Sequence, residues 1–181
     1  MTSKNLLRHP LARSSLDDMK SGTKFIRFYD EAYSSDLVSD EKIKRVILCS
    51  GQVYYALLRA REQNKIKDVA ITRIEQLSPF PFDLVGKALD RYSGCSEIVW
   101  CQEEPLNMGA WLHVSPRLET SMAASKHHQK KRPVVVSRDP TAAVATGNKI
   151  QHIKEEQAIL SRALLGVAKE PKQVVQGVPV W

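Results

Sequence analysis

The chain has 181 residues, 43% of them apolar and 26% charged, a size and balance that suit one domain with its own core. No apolar run approaches the ~20 residues that a membrane-spanning helix needs, so membrane insertion is not expected. The net charge is +7, but four of the cations, Lys126, Lys130, Lys131 and Arg132, fall in one acid-free stretch, which leaves the remaining surface only mildly basic.

Residues 1–44 read as a lead-in. Arg8, Arg13, Ser14 and Ser15 among leucines resemble part of a mitochondrial transit peptide, but the adjacent acids Asp17 and Asp18 argue against that, so the segment is expected to be structural, its targeting sequence absent. Thr23 to Tyr29 alternates Phe25 and Arg27 against Ile26 and Phe28 with period 2, the pattern of an additional edge strand. Asp30 to Lys44 reads as a polar connector.

Residues 45–165 carry a regular strand–helix alternation. Arg45 to Ser50 is a compact apolar strand, Gly51 provides the turn, and Gln52 to Lys65 is a helix with Val53, Ala56, Leu57 and Ala60 on one face. Asp68 to Ile74 is the next strand. Pro79 and Pro81 then stop regular structure, because proline lacks a donor and fixes φ. Phe82 to Tyr92 repeats the helical spacing with Val85, Ala88 and Leu89, and Ser93-Gly94 closes it. Glu97 to Gln102 is the third strand. A helix over Gly109 to Met122 follows, weakened by Pro116. Pro133 to Ser137 is the fourth strand. A small-residue loop over Arg138 to Asn148 leads to the last helix, Lys149 to Leu165, with Ile150, Ile153, Leu160 and Leu164 facing inward. Uniformly apolar strands between helices predict an α/β fold of three layers, a mostly parallel sheet with helices on both faces. Residues 166–181 lack periodicity, hold Pro171 and Pro179, and read as a disordered tail.

In open parallel sheets ligands gather beyond the carboxyl ends of the strands. Three segments fall there: Ser50-Gly51, Glu75-Gln76 and Gln102-Glu103-Glu104-Pro105. Glu103 and Glu104 invite an acid–base reading. Neighbours on a strand point to opposite faces, so the pair converges only if the backbone turns. Interface or hydrogen-bonding carboxylates are the simpler role, and Gln102 and Trp111 join them as interface candidates. Trp100 and Trp111 read as packing anchors. Cys49, Cys95 and Cys101 have no C-x-x-C spacing and read as buried, reduced thiols. The five histidines have no metal-ligand spacing, and His127-His128 reads as solvated within the basic loop. Arg138, at a strand end before small residues, reads as a loop-capping surface arginine or as an anion contact. The basic run carries no interleaved aromatics, which makes nucleic acid an unlikely partner.

Four stretches, in this order and spacing, resemble the carboxy-terminal domain of the first, thiamine-diphosphate-dependent, decarboxylating component of the 2-oxoglutarate dehydrogenase complex. They are Lys4 to Pro10 with Ala12 to Ser15; Val69 to Phe82; Trp100 to Gly109; and Arg138 to Pro140 with Ala145 to Lys149. The resemblance covers roughly Lys4 to Leu165. It implies a transketolase carboxy-terminal-like fold and a homodimeric parent enzyme. Thiamine diphosphate and magnesium would be held there by earlier domains, leaving no cofactor, catalytic residue or metal ligand in this chain. The cofactor would decarboxylate 2-oxoglutarate, and the succinyl group would pass to the lipoyl-bearing second component, within the tricarboxylic acid cycle. The implied partners are the earlier domains, the dimer mate and that second component. The implied location is the mitochondrial matrix, or the cytoplasm if the source is bacterial. Lys4 and Arg138 match positions that the resemblance associates with a regulatory nucleotide or acetyl-coenzyme A.

The sequence departs from the family pattern in three places. Ser3 stands where proline is usual, which implies a looser start to the lead-in. Ala123 to Arg132 is longer and more basic. The tail after Leu165 matches nothing in the family. Two other functions stay open on sequence: a stand-alone interaction or regulatory module, and a nucleic-acid binder using the basic loop.

Overall fold

The computed structural model describes residues 3–181. Its body is a five-stranded sheet formed by β1 (Phe28–Tyr29), β2 (Arg45–Cys49), β3 (Val69–Ile74), β4 (Glu97–Pro105) and β5 (Val134–Arg138). The spatial order is β1-β3-β2-β4-β5, with β1 antiparallel and the others parallel. The helices are α1 (Val53–Gln63), α2 (Phe82–Arg91), α3 (Trp111–Ala124) and α4 (Lys149–Leu165).

The pleat sorts the strand residues into two cores. Val46, Leu48, Ala70, Ile98 and Trp100 pack with Val85, Leu89, Val114, Leu118 and Met122 from α2 and α3. Ile47, Cys49, Val69, Ile71, Val99 and Cys101 pack with Leu57, Ala60, Leu160 and Leu164 from α1 and α4. Successive residues point to opposite faces, so strands buried on both faces must be apolar throughout. The three-layer α/β architecture is therefore as expected.

The lead-in clothes the outer edge of β3. Only Phe28 and Tyr29 form a strand within the expected Thr23–Tyr29 segment, pairing with Ile74 and Arg73. Beyond them Glu31 takes over. Its carboxylate accepts Ile71 N at 2.7 Å, a donor that a strand would otherwise satisfy, and receives the Arg61 guanidinium in a bidentate pair at 2.5 and 3.0 Å. Both side chains are almost wholly buried, at 1% and 5% exposure. Val38 N continues the cover by donating to Lys67 O. A sheet edge closed in this way cannot template pairing with another chain.

Several expectations need correction. Residues 166–181 are not disordered. They form a hairpin, β6 (Gln173–Val175) and β7 (Val178–Val180), joined by Gln176 and Gly177, both with positive φ. Two positive φ values define the tight turn whose twist matches paired strands, and glycine accepts that conformation without cost. The hairpin docks on α1 through Asn64, whose amide donates to Pro179 O and accepts Trp181 N, both at 2.9 Å. At the start of α4, Ile150 and Ile153 are exposed rather than inward; burial begins at Ile159, where the helix reaches the sheet. Ser3, where proline is usual, ties the lead-in to the residue before α1. Its hydroxyl donates to Gln52 Oε1 at 2.5 Å.

Candidate functional site

The strand order places β2 between β3 and β4, so the chain crosses from one side of β2 to the other at β4. At such a switch point the connections diverge and leave a crevice outside the carboxyl ends of the strands. A cleft of about 430 Å³ lies there, walled by the lead-in at His9, α1 at Gln52 and Arg59, the end of β4 at Glu103 and Glu104, Arg138, and α4 at His152 and Glu156.

The β4 end is built by Gln102. Its Oε1 accepts Trp100 Nε1 and Trp111 N, both at 3.0 Å, while its Nε2 donates to Pro105 O and Met108 O. Every hydrogen-bonding position of the buried amide is used, three on the Gln102 to Trp111 loop and one on Trp100. Gly109, with φ +69, lets the backbone pass that amide; a Cβ there would lie 3.0 Å from Gln102 Nε2. Gln102 is therefore an interior organiser, not an interface residue. Trp100 is buried and Trp111 half-buried against the same core, in keeping with packing roles.

The two glutamates do share one cleft. The β4–β5 register advances four residues on β4, from Cys101 to Pro105, while β5 advances two, from Val136 to Arg138. The resulting bulge breaks the alternation that would have separated Glu103 from Glu104. Gln52 Nε2 donates to both carboxylate oxygens of Glu103, at 2.9 and 2.8 Å. Ser3, Gln52 and Glu103 thus form a relay from the lead-in across α1 to β4. The cleft walls strip water from the Glu103 carboxyl and raise its pKa, against the Gln52 hydrogen bond, which lowers it.

Arg138 lines the cleft, but its guanidinium is engaged. Its Nε lies 3.2 Å from Glu155 Oε2 and its Nη2 donates to Val144 O. Lys4 is exposed and outside the cleft wall, although its neighbour Asn5 forms part of it. The structure therefore groups Arg138, Glu103 and Glu104 and leaves Lys4 apart. His9 was not singled out by sequence. Its ring packs tilted against Tyr55 with centroids 4.7 Å apart and meets Arg59 Nη2 at 2.7 Å, which docks the lead-in onto α1.

A second polar group lies at the end of β3. The Arg73 guanidinium sits over the rings of Tyr29 and Tyr54 at 4.4 and 4.6 Å, donates to Tyr55 Oη at 2.9 Å, and pairs with Glu75 at 2.7 Å. Burial pushes the Tyr54 phenol up to about 12, so it stays protonated. Nothing in the sequence distinguishes this arginine from a surface one, because its three aromatic partners come from β1 and α1, distant from it along the chain.

Glu103, Glu104 and Glu156 face the cleft and oppose a diphosphate, while its two arginines are engaged, Arg138 with Glu155 and Arg59 with His9; no group of three His, Cys, Asp or Glu side chains could hold a metal ion among the described residues. Cys49, Cys95 and Cys101 are free and buried, and burial raises each thiol pKa, which opposes a nucleophilic thiolate. No helix of the described residues is long and apolar enough to cross a membrane.

The family model described as 2-oxoglutarate dehydrogenase C-terminal matches residues 13–164. Among relatives, the mitochondrial 2-oxoglutarate dehydrogenase of Schizosaccharomyces pombe is 48% identical over 90% of this chain and 16% of its own length. The corresponding Saccharomyces cerevisiae protein is 44% identical over 87% of this chain and 16% of its own length. The 2-oxoglutarate dehydrogenase-like protein of Rattus norvegicus is 47% identical over 90% of this chain and 15% of its own length. The chain thus spans about a sixth of the length of these relatives. Among solved structures, an inactive tetramer of a split-gene transketolase aligns with 71% of this chain and 41% of its own at 14% identity and a TM-score of 0.46, a likeness too slight to carry weight.

Proposed function

This chain belongs to the 2-oxoglutarate dehydrogenase C-terminal family, and from that premise we propose that it supports assembly of the dehydrogenase dimer while the chemistry is done by segments outside it. The observation that carries this reading is the apolar surface of the lead-in. Leu7, Leu16, Met19 and Phe25 are 68–81% exposed, and Leu11, Ile26 and Tyr29 are also uncovered. A run of large apolar side chains held on the surface marks a contact with another protein. The earlier domains of the enzyme and the dimer mate are the fitting occupants, and the cleft's carboxylates, which repel a diphosphate, support a seat for thiamine diphosphate elsewhere. In that setting the parent enzyme would decarboxylate 2-oxoglutarate and pass the succinyl group to the lipoyl-bearing component, in the mitochondrial matrix.

Sedimentation tests the assembly role. The S. pombe enzyme truncated before its matching segment, mixed with this chain, is expected to sediment as a dimeric complex. Leu16→Asp with Phe25→Asp is expected to abolish that complex and leave the fold of the chain intact. Complex formation unaffected by the double variant overturns the assignment of the surface.

A second reading, nucleotide regulation, draws on Arg138 in the cleft wall. An anion reaching that guanidinium must displace Glu155. Titration calorimetry with AMP or acetyl-coenzyme A is therefore expected to give weaker binding for Arg138→Ala and tighter binding for Glu155→Gln. Lys4→Ala, outside the wall, is expected to change it little. Equal affinities in all variants would remove the reading.

A further inference from the structure

The basic stretch after α3 is not the freely solvated loop that its composition suggests. His128 is fully buried, and its ring is inserted between the end of α2 and the loop itself. Nε2 lies 3.0 Å from Leu89 O and 3.1 Å from Tyr92 O, two carbonyls at the helix end that also accept Tyr92 N and Cys95 N. Nδ1 lies 3.1 Å from Lys131 Nζ, and that ammonium also reaches Cys95 O. Lys126 N adds a tether by donating to Asp90 Oδ1 at 2.8 Å.

These partners fix the tautomer. A carbonyl can only accept, so Nε2 must carry the proton; an ammonium can only donate, so Nδ1 must present its lone pair. The ring is therefore neutral in the closed loop. A proton added at Nδ1 would remove the acceptor for Lys131 and set two positive charges about 3 Å apart in a buried site.

We infer that His128 is a proton-operated pin: deprotonated, it holds the Ser125 to Arg132 loop against the end of α2, and protonated, it lets the loop go. In the pinned state Lys126, Lys130 and Arg132 are exposed in fixed positions; in the released state they disperse and the Leu89 and Tyr92 carbonyls turn to water. The surrounding charges do not rescue the imidazolium. On α2, Asp90 is committed to Lys126 N, and Arg91 is held by Asp30 and Asp40. Tyr92, which caps α2, meets the ring with its carbonyl and turns its phenol, kept protonated by burial, to Asp30. On the turn before β4, Cys95 is a thiol, and Glu97 pairs with Arg45. On the loop itself, His127 and Lys131 add positive charge. Ser125, at the end of α3, contributes only a hydroxyl, which accepts His127 N. Burial, then Lys131, depress the His128 pKa below 6.5, the direction that the geometry requires.

The sign of the effect follows. The released ring titrates near 6.5 and the pinned ring lower, so release takes up a proton. The open fraction should rise about tenfold per pH unit between those two values. Ring and loop-amide NMR on the full chain, from about pH 7.5 to 5, reads both events. The expected result is an Nε2–H ring at neutral pH whose titration coincides with shifts of the amides of residues 125–132, while strand amides stay put. Lys131→Met, which removes the opposing cation, should move the midpoint to higher pH. His128→Gln, which cannot titrate, should abolish the loop transition, with His127→Gln as the control that leaves it intact. The inference is overturned if His128 titrates with no loop response. It is equally overturned if Lys131→Met leaves the midpoint unmoved, or if the whole chain unfolds in the same step.

Discussion

Replacing Glu31 with Gln should destabilise the chain more than its place in a polar connector suggests. Its carboxylate serves four donors: Arg61 twice, Ile71 N at 2.7 Å and Tyr33 N at 2.9 Å. A glutamine offers one acceptor oxygen and turns an NH₂ toward the remaining donors. It also leaves the Arg61 guanidinium, 5% exposed, with no counter-charge, only the neutral Val69 carbonyl at 3.0 Å. Breaking a buried pair from one side costs about 3–5 kcal/mol. With a urea slope of about 2 kcal/mol/M, the unfolding midpoint should fall by about 2 M. Replacing both partners together, Glu31→Leu with Arg61→Met, should recover most of that loss, because no uncompensated charge remains. Urea unfolding followed by tryptophan fluorescence measures all three variants. A Glu31→Gln midpoint within about 0.3 M of the parent would refute the claim that this pair closes the edge of the sheet.

Two further outcomes can be checked. Asn64→Ala removes both hydrogen bonds that seat the terminal hairpin, at about 1 kcal/mol each, so exchange protection of the hairpin amide at Lys172, which donates to Val180 O, should fall roughly 30-fold. Amides in the middle of α1 should not respond, and if they do, the hairpin is part of the core rather than an appendage. Glu103 should titrate above 4.5 by carboxyl NMR, and Gln52→Leu, which removes the bond favouring the ionised form, should move it higher still. Since the folded value is the raised one, the stability linked to Glu103 is present below pH 4.5 and is lost as pH rises through the folded pKa. Gln52→Leu should extend that loss to higher pH.

The sheet and its helices were legible because their cause is local. Strands buried on both faces must be apolar throughout, and helices between them show spacings of three and four residues, so the runs at Arg45, Val69 and Glu97 declare themselves. The cleft's position followed from the strand order, and the shared cleft of Glu103 and Glu104 turned on a bulge that only the β4–β5 register reveals.

What sequence missed depends on partners far along the chain. Glu31 looks like one acid among polar neighbours until Arg61 and Ile71, 30 and 40 residues away, fold around it. His128 looks solvated among lysines until the end of α2 supplies two carbonyls. The terminal hairpin had a local signal, Gln176-Gly177 between paired valines. Pro179 obscured it, because proline normally speaks against a strand. Here the proline occupies a hairpin whose partner is α1, and its carbonyl is used by Asn64.

Turnover of 2-oxoglutarate tests the central claim most directly. Purified chain supplied with thiamine diphosphate and magnesium is predicted to release no carbon dioxide, whereas the same chain spliced in place of the matching segment of the S. pombe enzyme is predicted to give an active dimer. Carbon dioxide released by the isolated chain, or an inactive monomer from the spliced enzyme, would contradict it.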